Sequence, residues 1–377
     1  MRTRVVVVLS VSAGAGHVRA AAALCAAAAA GPDAPTTIHL DVMDYVPRWY
    51  RCLYAGLYAV LVNHSPMLWG WLYRVMNRPG PAGPVQRLRR LIERHCSARW
   101  LREIATLKPD AIICTHFLPA EVLSQMRASG AVDCPVWVQV TDFDLHALWV
   151  HPHMAGYFVA SEEIAFQLRR SGIAAEHIHV TGIPLMPSFA APAPGRGWLR
   201  ELDLAPQVPT VLLMGGGGGV GGLVTVAQGL LDAHEQFQLI VLTGSNAGAL
   251  AALHKLAHRW PGRLAPLGFT DQVARLMASV DLVITKPGGL TTSECLAIGV
   301  PMLVNAPIPG QEERNADFLL EQGAALKAVD AATLAYRLNY LLARPALLGA
   351  MGARARELGR PGAARQVIDI VLAQLQG

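Results

Sequence analysis

The sequence predicts an α/β protein of two Rossmann-like domains, each built on a parallel sheet. Three observations support this fold class. A strand, a glycine loop and a helix open the chain, and a unit of the same order recurs about 200 residues later, beyond a Pro/Gly/Ala-rich stretch. Polar residues follow most of the apolar strands. A length of 377 residues suffices for two domains of ordinary size.

The opening unit resembles a nucleotide-binding βα unit. Residues 4–9 form a continuous Val-rich run, which is typical of a parallel strand buried on both faces, and the glycine loop at 12–17 follows. A dinucleotide fingerprint needs a third glycine where Arg19 stands. Asp41 ends the next predicted strand (37–40) and has the chemistry to hold a ribose. The missing glycine makes an NAD or FAD site the weaker interpretation.

His17 lies where this loop becomes a helix, so we expect its imidazole to face the mouth of a ligand cleft. Gly14 and Gly16 allow the backbone to approach a ligand closely. Two interpretations of His17 remain open. It is either a structural histidine or a general base that is neutral near pH 7.

Aromatic residues are concentrated in residues 45–73. Tyr50, Tyr54 and Tyr58 recur at the spacing of one helical face. Such a face is packed core in one interpretation and a membrane-interface surface in the other, because Trp and Tyr favour the headgroup boundary.

The net charge of +5 is unevenly placed. Ten arginines lie between Arg48 and Arg102, and only Glu93 and Glu103 oppose them up to residue 103. We therefore expect residues 45–103 to meet an anionic membrane surface, and we expect no nucleic acid as a partner. A helix is predicted over 87–107.

Polar tips follow the next strands, at 111–114 and 136–140. In parallel α/β sheets ligands bind at the carboxyl ends of strands. Asp142 and Asp144 lie at such a tip. They are second-choice catalytic or orienting groups, or helix caps. Strands over 157–160 and 177–180 complete the first predicted domain.

The second domain repeats the organisation beyond a linker predicted at 187–209. A strand (210–214), a glycine loop (215–222) and a helix (223–231) follow in order. The loop matches GxGxxG, but the next strand ends in Thr243 rather than an acid, which again disfavours a dinucleotide. Five consecutive glycines favour a close approach to a diphosphate.

A further strand–loop–helix unit begins at residue 282. Its Pro-Gly-Gly loop (287–289) precedes a helix that opens through Thr291 and Thr292, and Glu294 follows. The arrangement suits a phosphate, whereas the alternative is an ordinary turn with a capping Thr. A helical stretch over 341–376, broken at Pro361, is long enough to cross back onto the first domain.

Composition excludes several classes of protein. No apolar run reaches 18 residues, and the Ala-rich run at 20–30 follows a strand rather than a basic segment, so neither a membrane span nor a signal peptide is expected. The six cysteines are scattered without a CxxC motif, which is typical of small core residues in a reducing cytosol. We expect no structural metal.

Taken together, the motifs resemble the family 28 glycosyltransferases, and within them the monogalactosyl- and processive glucosyl-diacylglycerol synthases. The resemblance spans nearly the entire chain. The motifs that carry it are SAGAGH at 12–17, TDFDLHALW at 141–149, TGIP at 181–184, the glycine run at 215, KPGGLTTSE at 286–294 and PGQEERNA at 309–316.

This resemblance implies a GT-B fold, in which two Rossmann-like domains face each other across a cleft and a C-terminal helix crosses back. The implied segments are an acceptor and membrane-binding domain (1–186), a linker (187–209), a UDP-sugar domain (210–360) and the returning helix (361–377).

The resemblance also implies site residues. Glu294 would bind the ribose, Phe269 the uracil through its neighbouring backbone, and the loop from Gly14 to His17 would face diphosphate and acceptor. Lys286 is the candidate for phosphate neutralisation, because no Arg follows the TGIP motif. Gly288, Gly289 and Thr291 would bind the diphosphate, and Gln311, Glu312 and Asn315 would read the sugar hydroxyls. The further donor-binding candidates are Gly16, Gly217, Gly218, Thr243 and Thr292.

The implied reaction inverts the anomeric carbon and needs no metal or other cofactor. The partners are a UDP-hexose (glucose or galactose) and diacylglycerol, and the protein would lie peripherally on the cytoplasmic side of the membrane. His17 is the expected base, with Asp142 or Asp144 as substitutes. The alternatives are a polyprenyl-linked or small hydrophobic acceptor, a UDP-sugar epimerase, and a non-catalytic membrane-bound nucleotide-sugar sensor.

Overall fold

The structure is a computed structural model that describes residues 3–31, 34–56, 60–61, 65–76, 92–93, 95–191, 195–215, 222–233 and 236–376. The chain divides into two compact units. The first holds Met1–Pro187 with Pro309–Gln311 and Gly362–Gly377, and the second holds Ser188–Ile308 and Glu312–Pro361. Each unit is an α/β body, so the predicted fold class is confirmed.

The first unit is built on a six-stranded parallel sheet. Its strands are β1 (Val5–Ser10), β2 (Thr36–Asp41), β3 (Ala111–Cys114), β4 (Val136–Gln139), β5 (Gly156–Val159) and β6 (Ile178–Val180). They lie in the order β2-β1-β3-β4-β5-β6. Its helices are α1 (Ala15–Ala29), α2 (Arg48–Arg51), α3 (Pro66–Met76), α4 (Ala98–Leu107), α5 (Phe117–Ala128) and α6 (Glu162–Arg170).

The second unit repeats this architecture. Its strands are β7 (Thr210–Met214), β8 (Gln238–Leu242), β9 (Leu264–Leu267), β10 (Leu282–Thr285), β11 (Met302–Asn305) and β12 (Ala325–Ala328). Their order, β12-β11-β10-β7-β8-β9, is that of a Rossmann sheet. Its helices are α7 (Leu223–Ala233), α8 (Ala247–Ala257), α9 (Val273–Ser279), α10 (Gly289–Ile298), α11 (Gln311–Glu321), α12 (Ala331–Leu342) and α13 (Pro345–Leu358).

The last helix, α14 (Ala363–Gln374), belongs to the first unit. It packs against the Ala-rich α1, and Val367, Ile368 and Val371 join the core of the first sheet. Alanines on α1 allow two helices to lie close together over the same sheet face. The predicted return of the C-terminal helix is therefore confirmed, although the helical stretch over 341–376 is also interrupted at 343–344.

Almost all of the predicted linker at 187–209 belongs to the second unit. Arg196 fixes the segment to that unit: its Nη1 lies 2.6 Å from Asp281 Oδ1, and its Nη2 donates to the Val208 carbonyl. Asp281 Oδ2 accepts the amide of Thr210 at the start of β7. The prolines and glycines therefore mark irregular backbone that side chains hold in place.

The aromatic segment at 45–73 has an inner and an outer face. Tyr50 is buried and stacks on Tyr54, with ring centroids 5.8 Å apart. The exposed apolar side chains here are Trp49, Leu53, Val60, Met67, Leu68 and Trp71. Among the described residues, Tyr50 therefore faces inward and the other tyrosines are partly buried, whereas these Trp, Leu, Val and Met side chains face solvent. Tyr58, and residues 87–91 and 94 of the helix predicted over 87–107, lie outside the described residues.

Across the described part of the chain, every helix is too short or too polar to cross a bilayer.

Candidate active site

In each sheet the strand order reverses at one point. The reversal lies between β1 and β3 in the first sheet and between β7 and β10 in the second. Connections leave toward opposite faces there, and a crevice opens at the carboxyl ends of the strands. His17 follows β1, Thr115 follows β3, and the loop of Gly288 and Gly289 follows β10. The predicted residues thus lie at the position of each sheet where ligands bind in such folds.

His17 is held by threonines from two neighbouring strand ends. Its Nδ1 lies 2.8 Å from the carbonyl oxygen of Thr115 and 3.0 Å from Oγ1 of Thr141. The hydroxyl of the fully buried Thr115 also donates to the His17 carbonyl, at 2.9 Å. Because a carbonyl oxygen only accepts, Nδ1 carries the ring proton and Nε2 keeps its lone pair. No described residue donates a hydrogen bond to this Nε2.

His17 is neutral around pH 7. Desolvation lowers the pKa of its imidazole to about 4, and the hydrogen bond to Thr115 opposes the shift only in part. Part of the residue remains exposed. A neutral, oriented imidazole with a free Nε2 lone pair has the form of a general base.

Other aromatic rings surround His17. The His116 ring meets it edge to face with centroids 4.6 Å apart, and Trp149 lies at 6.3 Å. His116 is buried and caps α5, because its Nδ1 accepts the Leu118 amide at 3.0 Å. Burial, and then the neighbouring His17, hold the pKa of His116 well below its usual value. Both imidazoles are therefore neutral at physiological pH.

Asp142 and Asp144 follow Thr141 on the same loop and are partly buried. The hydrogen bonds that orient His17 come from threonines and not from either carboxylate. The capping alternative is wrong for the nearby 3-10 helix, since His146 is its N-cap and accepts the Leu148 amide.

Asp41, the predicted candidate for holding a ribose, has one carboxylate oxygen engaged by the protein itself. One of its carboxylate oxygens accepts the amides of Ser12 and Met43. It therefore holds the start of the first glycine loop.

Two helices that follow glycine loops begin without a side-chain cap. Gly14 is the N-cap of α1 and Gly288 is the N-cap of α10, and neither end receives a side-chain hydrogen bond. The alternative in which Thr291 or Thr292 caps α10 is wrong, because the helix already begins at Gly289. Uncapped N–H groups at the positive end of a helix dipole favour an anion.

Three predicted donor-binding side chains are buried in the second unit. Glu294 is 3% exposed, and Thr292 and Asn315 are fully buried. Thr292 Oγ1 has no hydrogen-bond partner among the described residues, which is unfavourable for a buried hydroxyl. Thr291 keeps partial exposure. Thr291 retains surface on which to make a ligand contact, whereas a contact of Thr292 would have to use this buried hydroxyl and stays a prediction.

The charges of Lys286 and Glu312 interact beside the Gly288 loop. Glu312 Oε2 accepts the Ile308 amide at 2.7 Å, and its Oε1 lies 3.9 Å from where a Cβ on Gly288 would stand. Burial raises the pKa of Glu312, and the Ile308 hydrogen bond and the charge of Lys286 partly offset this. The first turn of α11 thus adjoins the anion loop within the second unit.

The remaining residues predicted to bind the UDP-sugar differ in how exposed their side chains are to a ligand. Phe269 is 82% exposed, whereas Thr243 is fully buried with its hydroxyl committed to the Leu267 carbonyl at 3.1 Å. Gln311 begins α11 and is partly buried, and Gly16 lies in the first turn of α1. Gly217 and Gly218 lie outside the described residues.

Sequence reasoning did not assign roles to Thr115, Thr141 or His116. The available signal was position in the chain. Thr115 and His116 directly follow β3, and Thr141 lies two residues after the end of β4. A threonine that uses a backbone carbonyl to orient a histidine 98 residues away leaves no spacing pattern in the sequence.

A cavity of about 870 Å³ lies in the second unit at the amino ends of β7, β10 and β11. Its lining includes Arg196, Asp281, Gly299 and Arg356, and none of the predicted site residues. It is therefore separate from the carboxyl-end loops described above. In the described part of the chain, no group of three His, Cys, Asp or Glu side chains is placed to hold a metal.

Comparison with known families matches both units. Residues 17–185 match the model described as monogalactosyldiacylglycerol (MGDG) synthase. Residues 210–346 match the model described as the glycosyltransferase family 28 C-terminal domain.

Several curated relatives are named processive diacylglycerol beta-glucosyltransferase. The protein from Bacillus pumilus is 35% identical over 218 residues, which are 58% of this chain and 56% of the relative. The one from Bacillus licheniformis is 29% identical over 289 residues, 77% of this chain and 69% of the relative. The chain thus matches little more than half the length of the first of these.

Solved structures share the fold at low identity. MurG of Acinetobacter baumannii superposes with a TM-score of 0.60 at 16% identity, covering 99% of this chain and 100% of MurG. Anabaena Alr3699/HepE, solved with UDP and glucose, gives 0.57 at 16%, covering 98% and 99%. The architecture of both units is therefore that of the GT-B fold.

Proposed function

Because the chain belongs to the family 28 glycosyltransferases of the monogalactosyldiacylglycerol synthase type, we propose that it transfers a hexose from a UDP-sugar to diacylglycerol. The hexose is glucose or galactose. The curated relatives are named for the glucosyl reaction, which supports glucose as the first donor to test.

The observation that carries the proposal is the state of His17. Its Nδ1 proton is fixed by the Thr115 carbonyl at 2.8 Å, so Nε2 is the basic atom, and no described residue occupies it. A hydroxyl group that donates to Nε2 is activated as a nucleophile. The pKa of about 4 favours the neutral base but weakens it. A bound anion would raise this pKa, because negative charge stabilises the imidazolium.

In the proposed reaction the diacylglycerol hydroxyl oxygen forms a bond to C1 of the sugar as the bond from C1 to the UDP oxygen breaks. The hydroxyl proton passes to Nε2 of His17, and UDP leaves with the electron pair on the opposite face. The anomeric carbon is therefore inverted. The uncapped amides after Gly288 would stabilise the leaving diphosphate without a metal or other cofactor, and Glu294 would accept hydrogen bonds from the ribose.

The outer face of residues 45–73 supports a peripheral membrane position. Trp49 and Trp71 are 55% and 54% exposed, and Arg48 and Arg51 lie on the surface beside Trp49. Exposed Trp with Arg suits an anionic headgroup layer. We place this face on the cytoplasmic leaflet, where nucleotide sugars are found.

The test incubates the protein with UDP-glucose or UDP-galactose and vesicles containing diacylglycerol. Mass spectrometry should identify a monohexosyl-diacylglycerol, or a longer series if transfer is processive, and NMR should show the inverted anomer. If the protein glycosylates a polyprenyl phosphate and not diacylglycerol, the acceptor is the polyprenyl-linked alternative. Epimerised UDP-sugar without any glycolipid would favour the epimerase alternative, and UDP-sugar binding without turnover the sensor.

Membrane binding has a separate test by vesicle flotation. The double variant Trp49→Ser, Trp71→Ser should float less with vesicles rich in phosphatidylglycerol, and added salt should weaken the wild type. Tyr336→Ser is the matched control, because Tyr336 is 62% exposed in the second unit. Equal flotation with neutral and anionic vesicles would contradict the proposed surface.

A further inference from the structure

His116 has one ring nitrogen committed to the fold and one that the fold does not use. Its Nδ1 accepts the Leu118 amide at 3.0 Å and so has no proton. In a neutral imidazole the proton is then on Nε2, which is a donor. No described residue accepts a hydrogen bond from this Nε2.

The neutral state of His116 is secured by its surroundings. The residue is 3% exposed and lies among the rings of His17, Phe117, Trp149 and Tyr54, at centroid distances of 4.1 to 6.3 Å. Charging it would require an imidazolium in this apolar enclosure beside a second imidazole. His116 is therefore neither a base nor a cation here, and its remaining chemistry is hydrogen-bond donation.

His17 has the complementary state. Its Nδ1 is the donor that the fold uses, and its Nε2 is an acceptor that the fold leaves open. The two rings are in edge-to-face contact, with centroids 4.6 Å apart. Touching rings thus offer one open acceptor and one open donor at the carboxyl ends of β1 and β3.

We infer that this pair recognises an acceptor with two neighbouring oxygens, and that His116 determines specificity for it. The attacking hydroxyl donates to His17 Nε2, and the oxygen on the adjacent carbon accepts from His116 Nε2–H. In diacylglycerol that second oxygen belongs to the neighbouring ester, and in a glycosylated lipid it is a neighbouring hydroxyl. The inference rests on the proposed function, because it assumes that His17 meets the acceptor.

The capping and donating roles of His116 are separable by substitution. Asparagine is among the best N-cap residues, so His116→Asn keeps the acceptor for the Leu118 amide, but its side chain is too short to place a donor at the Nε2 position. Glutamine reaches farther, so His116→Gln restores an N–H donor near that position at the expense of the cap. His177→Asn is the matched control, since His177 is exposed in the same unit.

The experiment compares two acceptors in the same vesicles with the same UDP-hexose. One is a 1,2-diacylglycerol and the other is a long-chain primary alcohol with no neighbouring oxygen. The readout is the ratio of kcat/KM values for the two acceptors, together with the thermal unfolding midpoint. Loss of one hydrogen bond in the transition state corresponds to about a tenfold change in this ratio.

His116→Asn should lower the preference for diacylglycerol about tenfold while kcat/KM for the primary alcohol changes little, and His116→Gln should recover part of the preference. An unchanged preference in His116→Asn would reduce His116 to a helix cap and overturn the inference. Equal losses with both acceptors would also overturn it, because the donor would then not act on the neighbouring oxygen. If the wild type glycosylates neither acceptor, the proposed function itself fails, and that outcome is visible before any variant is compared.

Discussion

The two glycine loops at the sheet reversals share a backbone design but differ in how their side chains are prepared. Each loop precedes a helix whose N-cap is a glycine, Gly14 in the first unit and Gly288 in the second. Neither helix start receives a side-chain hydrogen bond. The first loop adds a histidine whose proton is fixed by threonines from two other strands. The second adds a buried carboxylate, Glu294, in the second turn of α10. Backbone amides can bind an anion in either place, but proton transfer needs an oriented side chain.

Under the proposed function, this difference favours proton transfer at the first loop and donor binding at the second. A general base must present one defined nitrogen, so tertiary hydrogen bonds to its ring are required. An anion site needs only several N–H groups and a favourable helix dipole. Variants in the first loop should therefore affect turnover, and variants in the second should affect affinity.

The largest expected effect belongs to His17. His17→Ala should lower turnover by roughly 10² or more, because the base is lost, with little change in the dissociation constant for UDP measured by calorimetry. Near-normal turnover would transfer the role to Asp142 or Asp144. Asp142→Asn and Asp144→Asn test that alternative directly. If either variant loses as much turnover as His17→Ala, the corresponding aspartate is assigned a role in catalysis.

Glu294 should show the opposite pattern. Glu294→Gln should weaken UDP binding by about tenfold or more, since hydrogen bonds to a charged group contribute about 1.5–3 kcal/mol. The wild type should prefer UDP over a dideoxyribose analogue, and the variant should lose that preference. Glu321→Ala, an exposed change at the end of α11, is the control. An undiminished preference for the intact ribose would remove Glu294 from the nucleotide site.

Thr141 tests the orientation of the base. Thr141→Val keeps the shape of the side chain but removes the oxygen 3.0 Å from His17 Nδ1, and turnover should fall about threefold to tenfold. Thr141→Ser should recover most of the loss because it restores the hydroxyl. Comparable losses in both variants would indicate that packing, rather than the hydrogen bond, is responsible.

The smallest effect concerns protonation. An imidazole C2–H resonance that disappears in His17→Gln should titrate in NMR with a midpoint near pH 4, as the desolvated pKa requires. The unfolded chain takes up this proton near pH 6.5, so the free energy of unfolding should decrease as pH falls from about 6.5 to 4. His17→Gln should reduce that slope. A midpoint near 6.5 would mean that the His17 ring is solvated in the folded protein.

Much of the fold follows from local sequence. The strands at 111–114 and 210–214 were predicted at their observed bounds, because short apolar runs between turn residues are typical of buried strands in a parallel sheet. Strand ends and glycine loops then located both candidate sites, since a parallel sheet brings the carboxyl ends of its strands to one edge.

Other features of the molecule depend on long-range contacts that the local sequence does not show. Pro and Gly at 187–209 predicted a linker, but Arg196 joins the segment to Asp281, 85 residues away. Helical spacing grouped the tyrosines of the aromatic segment without showing which side they face. Thr292 has the residue type of a ligand-binding threonine, yet the turn of α10 places it in the interior.

The sequence by itself determined the fold class, the order of the two glycine loops and the identity of the histidine, because these depend on composition and spacing along the chain. Tertiary structure alone decided that His17 is protonated on Nδ1, that His116 is its neighbour and that one oxygen of Asp41 is engaged by backbone amides. The physical reason is that a ring's tautomer and pKa depend on atoms within a few ångströms, and those atoms come from strands about 100 residues away in the chain.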